Sequence, residues 1–206
     1  MTLQPRQFVD AVLRLQRDAV VRWHEQEPDN PYDDLLGIVC QQHQYNFLLW
    51  HEEDIARSPD VTDQRIAMVK RAIDGYNQQR NDWIERIDEG VIDSLFQQSI
   101  TPQPGARINT ETPGSAIDRL SIMSLRIYHM KEQLDRDDVD ESHIQKVSER
   151  LARCRLQRAD LGQSLVELLQ DIFAGRKVLK VYRQMKMYND PSLNPYLYGR
   201  NDKRAA

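Results

Sequence analysis

A mostly polar stripe runs along one face of the second predicted helix, where apolar side chains are expected. The three-four spacing that begins at Leu36 and Val39 continues through His43, Asn46, Trp50, Glu53 and Arg57. Residues at this spacing share one face of a helix. An unpaired buried polar group costs about 1–3 kcal/mol, so such groups need partners. The stripe therefore predicts either a functional pocket or a structural hydrogen-bond network.

Apolar residues recur at three-four spacing along nearly the whole chain, and no segment has the pattern of a strand. This periodicity predicts helices over about 7–27, 32–57, 62–96, 112–134 and from the acidic turn 135–140 to about 172. We expect Gly90 to break or bend the third helix and a further helical stretch to reach about Met187. Long helices of this kind predict an all-α antiparallel bundle of about five to six helices in one domain, 1–206. The third and fifth helices each carry a long row of mostly apolar residues at three-four spacing, which we call a seam, and these seams are long enough to resemble a coiled-coil hairpin.

Proline and glycine mark the clearest irregular segments of the chain. Residues 99–111 form a predicted loop, and Thr112 followed by Pro113 is typical of a helix start. The tail 188–206 is rich in Pro, Asn and Tyr and is predicted to be extended. We favour a tail that docks across the bundle over one that straps onto a partner.

Composition excludes several classes of function. The 28 basic and 32 acidic residues are interleaved, so no basic block indicates nucleic-acid binding. The longest purely aliphatic or aromatic run, Phe47–Trp50, is far shorter than a membrane span, and the N-terminus lacks an apolar signal-peptide core. Cys40 and Cys154 lie in helical patterns and are expected to be buried, reduced thiols. Together these features predict a cytoplasmic protein.

Four charged residues occupy core-spaced positions on different helices: Glu53, Arg80, Asp118 and Arg158. They could meet as a compensated cluster inside the bundle. The interpretation we favour is an ion-pair network that fixes helix register. The alternative is a pocket in which the arginines bind an anionic ligand such as phosphate and Glu53 or Asp54 acts as a general base.

Metal-binding motifs are missing at the spacings that zinc and di-iron helices use. Ile55 stands four residues after His51, where a His-Glu-x-x-His motif needs its second histidine, and no Glu-x-x-His pair occurs. His51 and His129 are interpreted as solvated or core histidines, and no cofactor or metal site is predicted. A lone carboxylate-bound Mg²⁺ or Mn²⁺ stays open. The helix start 111–115 is either an ordinary cap or an anion site assisted by Arg107 or Arg119.

Three segments together resemble one known family: Trp50–Arg57, Glu111–Ile122 and Lys186–Tyr196. They are similar to an uncharacterised bacterial family, the domain of unknown function 4254, and the resemblance spans nearly the whole chain. It implies no activity for any residue. It does imply a genomic association, because members tend to be encoded near glycosyltransferases of lipopolysaccharide or other surface-polysaccharide assembly.

Two functional hypotheses follow. The first is a cytoplasmic accessory protein for surface-polysaccharide synthesis that binds a partner enzyme, such as a glycosyltransferase, or a charged precursor. The second is a hydrolase or transferase that acts on a phosphorylated or nucleotide-linked sugar, with Glu53 or Asp54 as catalytic residue. The candidate ligand-binding residues are Asn46, Trp50, Arg57, Arg80, Asp118, Arg119 and Arg158. A homo-oligomer is compatible with either hypothesis.

Overall fold

Five helices and two very short strands make up the computed structural model, which describes residues 3–183 and 192–193. In chain order they are α1 (Pro5–Glu25), α2 (Asp34–Arg57), α3 (Asp63–Gln97), β1 (Arg107–Ile108), α4 (Pro113–Glu132), α5 (Glu141–Phe173) and β2 (Lys177–Val178). The predicted all-α bundle is confirmed. No helix among the described residues is both long enough and apolar enough to cross a membrane.

Side-chain caps set where three of these helices begin. The hydroxyl of Thr62 accepts a hydrogen bond from the backbone N–H of Arg65 at the start of α3. Thr112 caps α4 in the same way, and a carboxylate oxygen of Asp140 caps α5. Each cap pairs one of the N–H groups that a helix leaves free in its first turn. The predicted starts at Thr62 and Thr112 are confirmed.

Two helical hairpins form the body of the bundle. α2 packs along α3, α4 packs along α5, and α1 lies against α4, α5 and α2. The long seams of α3 and α5 therefore face the helix that precedes each of them in sequence, not one another. Short connections favour this arrangement, because a short link brings consecutive helices together as antiparallel neighbours.

Two local predictions were wrong, and a third was wrong in part. α3 continues through Gly90, so the predicted break is absent, because a helix interior tolerates a single glycine at a modest cost. α5 ends at Phe173, Gly175 adopts a φ of +72°, and residues 176–183 are not helical. β1 and β2 pair in parallel although no strand was predicted, since two-residue strands are too short to show a sequence pattern. Most of the predicted tail 188–206 lies outside the described residues.

The apolar core has two parts. The main core lies between all five helices and includes Val12, Val39, Leu120 and Leu169, each completely buried. A smaller cluster of Leu49, Val69 and Ile73 lies between α2 and α3. Cys40 and Cys154 are buried free thiols, as predicted.

A close approach joins α3 to α4. Gly114 lies so near α3 that an added Cβ would be 2.5 Å from the carbonyl oxygen of Ile84. The backbone N–H of Gly114 donates to a carboxylate oxygen of Asp88 at 2.7 Å. Burial raises the pKa of Asp88 to about 6, although its hydrogen bonds with Thr112 and Gly114 act in the opposite direction. The start of α4 is thus fixed by a buried carboxyl group from α3.

Candidate functional site

The polar stripe on α2 has a buried half and an open half. His43 and Asn46 are buried, whereas Trp50 and Glu53 are only partly buried and Arg57 is exposed. The buried half forms a hydrogen-bond network, and the open half lines a cleft together with Asn46.

Asp118 is the centre of the buried network. The guanidinium of Arg80 donates two hydrogen bonds to its carboxylate, from Nε to Oδ1 at 2.7 Å and from Nη2 to Oδ2 at 2.5 Å. Gln42 and Asn46 each donate an amide hydrogen bond to Oδ1, at 2.7 and 2.9 Å. The hydrogen bonds with Asp118 raise the pKa of Arg80. A carboxylate with this many donors is compensated for its loss of water.

A second set of hydrogen bonds extends the network to α1. His43 Nε2 lies 3.0 Å from the backbone carbonyl of Gln16, and His43 Nδ1 lies 2.6 Å from Ser121 Oγ. A carbonyl can only accept, so Nε2 carries the proton and Nδ1 accepts from the serine hydroxyl. Asn46 donates to the same hydroxyl at 2.8 Å. His43 and Ser121 are fully buried, so this pair is closed off from solvent.

The predicted meeting of four charged residues is wrong in part. Arg80 and Asp118 do meet, but Arg158 donates instead to Ser124 Oγ at 3.0 Å and to the carbonyl of Leu13 at 2.6 Å. Burial lowers the pKa of Arg158. Glu53 pairs with Arg57 near the surface. The spacing within each helix identified inward faces, but it could not tell which inward faces meet.

Two further candidates form surface ion pairs. Asp54 is exposed and lies 3.5 Å from a guanidinium nitrogen of Arg57. Arg119 donates two hydrogen bonds to the carboxylate of Glu111 and lines a separate groove between α4 and α5. The first N–H groups of α4 are occupied by Asp88 and by the Thr112 cap.

An open cleft of about 400 Å³ lies where α2, α3 and α4 meet, and we call it the arginine cleft. Its lining residues are Asn46, Leu49, Trp50, Glu53, Arg57, Asn77, Arg80, Ile122, Leu125 and Arg126. Three of them carry a guanidinium group and one carries a carboxylate. The cleft brings together five of the candidate residues from the sequence, namely Asn46, Trp50, Glu53, Arg57 and Arg80, with Asp118 behind Arg80.

Two polar residues of the arginine cleft, Asn77 and Arg126, were not among the candidates identified in the sequence. Asn77 lies three positions before Arg80 on α3, and Arg126 lies eight positions after Asp118 on α4. Both spacings place a residue on the same helix face as a known candidate. Extending each face by one or two turns from Arg80 and Asp118 would have found them.

Three histidines also meet beside Trp50. His24 of α1, His51 of α2 and His129 of α4 each bring a ring nitrogen within 4.8 Å of a ring nitrogen of the others. The ring of Trp50 stacks on that of His129, with centroids 5.0 Å apart. We call these three residues the histidine cluster. Motif spacing could not reveal it, because each histidine comes from a different helix.

Comparison with known proteins gives one match. A family model described as "Protein of unknown function (DUF4254)" matches residues 36–181, which include every residue that lines the arginine cleft. His51 and His129 fall within the match, and His24 precedes it. No curated protein and no solved structure matches the chain.

Proposed function

This chain belongs to the DUF4254 family of proteins of unknown function, and we propose that its arginine cleft binds the phosphate groups of a charged precursor. The precursor class is a phosphorylated or nucleotide-linked sugar of the kind used in surface-polysaccharide synthesis. Of the two accessory roles considered from the sequence, binding a precursor and binding a partner enzyme, the cleft favours the first.

The guanidinium of Arg126 is the main support for the proposal. Arg126 is exposed at the edge of the cleft, and its Nη1 lies 3.7 Å from the sulfur of Met123, which is a weak acceptor. Among the described residues Arg126 forms no ion pair, unlike Arg57 and Arg80 in the same cleft. A planar guanidinium with free donors matches a phosphate group by two parallel hydrogen bonds.

Arg80 adds a rigid charge to the same cleft. Its guanidinium group donates hydrogen bonds to Asp118, and Asp118 also accepts hydrogen bonds from Gln42 and Asn46. A positioned donor loses little conformational entropy when a ligand arrives, so part of the binding cost is met before binding. The cleft volume of about 400 Å³ lies within the range of small-molecule sites. Trp50 supplies an aromatic surface for a sugar ring or a base.

The experiment is a thermal-shift panel of inorganic phosphate, pyrophosphate, sugar phosphates and nucleotide sugars. A ligand at about 100 times its Kd stabilises the folded state by about 2.7 kcal/mol, which is a measurable rise in Tm. We expect stabilisation by a phosphorylated sugar. We also expect Arg126→Gln and Arg57→Gln to weaken binding, measured by calorimetry, about tenfold or more, since a charged hydrogen bond contributes about 1.5–3 kcal/mol.

Two matched variants make the experiment specific. Arg153→Gln removes an exposed arginine of α5 that does not line the cleft, so it should bind like the wild type. Arg119→Gln tests the groove between α4 and α5, which Arg126 also lines. Loss of binding in Arg119→Gln with full binding in Arg57→Gln would contradict the proposed location. No response to any phosphorylated compound would contradict the proposal itself and favour a protein partner.

Glu53 lines the same cleft and supports the enzyme hypothesis, because a carboxylate beside a bound sugar phosphate could act as a general base. Its side chain is 41% exposed and forms an i,i+4 pair with Arg57. Such surface pairs contribute only about 0.2–1 kcal/mol, so Glu53→Gln should fold normally. If the protein hydrolyses or transfers its bound sugar phosphate, Glu53→Gln should keep ligand binding and lose turnover.

A further inference from the structure

The histidine cluster lies outside the arginine cleft, and its three rings are arranged around one point. The ring centroids of His24 and His51 are 5.2 Å apart, those of His24 and His129 are 5.1 Å apart, and those of His51 and His129 are 5.7 Å apart. Each residue offers a ring nitrogen within 4.8 Å of the others. In tetrahedral zinc sites, with Zn–N of about 2.0–2.1 Å, ligand nitrogens are about 3.3–3.4 Å apart. Each nitrogen would have to move toward the common centre by about 1 Å or less to reach that spacing.

The hydrogen bonds at Nδ1 leave the other nitrogen of each ring as the ligand atom. His24 Nδ1 lies 2.7 Å from the carbonyl of Val20, and His51 Nδ1 lies 2.8 Å from the carbonyl of Phe47. Carbonyl oxygens only accept, so both Nδ1 atoms carry the proton and both Nε2 atoms present a lone pair. His129 Nδ1 lies 2.7 Å from a carboxylate oxygen of Glu132, which fixes the same tautomer.

Two of these lone pairs have no partner in the described part of the chain. Nε2 of His24 and Nε2 of His129 are both buried from solvent and make no hydrogen bond there. A buried nitrogen without a partner is costly, and such groups call for a specific explanation. A bound cation would pair both of them at once.

The surroundings also favour a cation. His24 and His129 lie in the last turns of α1 and α4, and helix C-termini carry partial negative charge. Glu132 supplies a full negative charge through His129. A histidine that binds a metal usually donates its other N–H to a carboxylate or a backbone carbonyl, which orients the ring and raises its basicity. All three histidines have such a partner.

We propose that His24, His51 and His129 form a binding site for one zinc ion through their Nε2 atoms. Three imidazoles without thiolate ligands suit Zn²⁺, and three protein ligands leave the fourth tetrahedral position for water or a small ligand. Glu132 orients His129, and the carbonyls of Val20 and Phe47 orient the other two rings. The proposal does not depend on the arginine cleft, which only shares the ring of Trp50 with this site.

The experiment measures metal content and coordination in full-length protein without a polyhistidine tag. After chelator treatment, incubation with Zn²⁺ and desalting, we expect about one zinc ion per chain by elemental analysis. With Co²⁺ in place of Zn²⁺, we expect the visible absorption of a tetrahedral nitrogen site. Replacing His24, His51 or His129 with Gln should abolish stoichiometric zinc and that absorption. Gln retains much of the volume and polarity, so the fold is disturbed less than by Ala.

Three further variants separate metal ligation from packing. His143→Gln changes a partly buried histidine outside the cluster, so it should keep zinc and the Co²⁺ spectrum. Glu132→Gln should retain the site with zinc affinity about 10–100-fold weaker, as expected for a group that orients a ligand. Arg126→Gln should leave zinc binding unchanged, so failure of the proposed function and failure of this inference can be told apart.

Absence of zinc and of a Co²⁺ spectrum in the folded wild type would overturn the inference, and the three rings would then only pack together. Equal loss of zinc in His143→Gln and in the cluster variants would also overturn it. If a cluster variant does not fold, by circular dichroism, the wild-type Co²⁺ spectrum and the Glu132→Gln titration still decide the question.

Discussion

At the scale of single residues, His43 shows how burial fixes a protonation state. Its ring is fully buried between Ser121 and the carbonyl of Gln16, and desolvation lowers its pKa to about 3. In the unfolded chain the imidazole takes up a proton near its ordinary pKa of about 6.5, but the folded state takes it up only near 3. The stability that His43 contributes is therefore present above pH 6.5 and is lost as the pH falls toward 3.

We predict that wild type and His43→Gln differ in their pH dependence of unfolding. Between pH 6.5 and 5, His43 should lower the free energy of unfolding of the wild type by about 1.6 kcal/mol, whereas the glutamine of the variant does not titrate and has no such effect. Asp88 acts in the opposite direction in this range, because its pKa is raised, but it acts equally in both proteins. Urea unfolding at the two pH values gives the comparison. Parallel slopes in the two proteins would contradict the prediction.

The residue scale also separates the two uses of polar groups on α2. Asn46 donates hydrogen bonds to Asp118 and Ser121, whereas Glu53 and Arg57 line the arginine cleft. The same helix face therefore carries buried hydrogen bonds at one end and accessible charged groups at the other.

At the scale of elements, the α3–α4 contact depends on the absence of a side chain at position 114. An added Cβ would be 2.5 Å from the carbonyl oxygen of Ile84 and 3.0 Å from the carboxyl carbon of Asp88. The helices would have to separate, and Asp88 would lose its hydrogen bond to the start of α4. This contact lies one turn before Asp118, so it also sets the position of the buried network.

We predict opposite effects for two Gly→Ala substitutions. Gly114→Ala should lower the free energy of unfolding by about 1–3 kcal/mol through overpacking. Gly75→Ala should raise it by about 0.5–1 kcal/mol, since α3 leaves open space there and alanine is the better helix former. Denaturant unfolding measures both. A lower free energy of unfolding for Gly75→Ala, or an unchanged one for Gly114→Ala, would contradict the prediction.

At the scale of the whole molecule, the α2–α3 hairpin has its own small core. Leu49, Val69 and Ile73 form a cluster separate from the main core that contains Val12 and Leu120. A part of a protein with few buried apolar contacts opens more easily than the rest. The end of the hairpin near residues 58–62 is expected to be the least stable part of the helical body.

We predict that Val69→Ala loosens the hairpin end without loosening the main core. The two lost methyl groups cost roughly 0.8 kcal/mol each, or about 1.6 kcal/mol together, which corresponds to about a 15-fold increase in the equilibrium constant for local opening. Hydrogen exchange should accelerate in residues 50–76 and stay unchanged in α1 and α4. The matched variant Val12→Ala should accelerate exchange in the main core. Equal acceleration everywhere in Val69→Ala would indicate one cooperative unit.

The histidine cluster and the arginine cleft also belong to this scale, because each is assembled from three helices. His24, His51 and His129 are separated by 27 and 78 positions in the chain, counted from 24 to 51 and from 51 to 129. Their meeting requires both hairpins and α1 to pack in one specific order. A variant that keeps its helices but loosens the packing between them should therefore weaken ligand binding at the arginine cleft and zinc binding at the histidine cluster together.

Local sequence patterns are enough to predict the five helices, the caps at Thr62 and Thr112, and the inward faces that carry Asn46, Arg80 and Asp118. These features are local, because helix periodicity and capping depend on residues within a few positions of one another. Which faces meet is visible only once the helices are packed: Arg80 contacts Asp118, Arg158 contacts Ser124, and the three histidines contact one another. Such pairings depend on helix order and on close approaches such as that of Gly114, which no spacing along a single helix encodes.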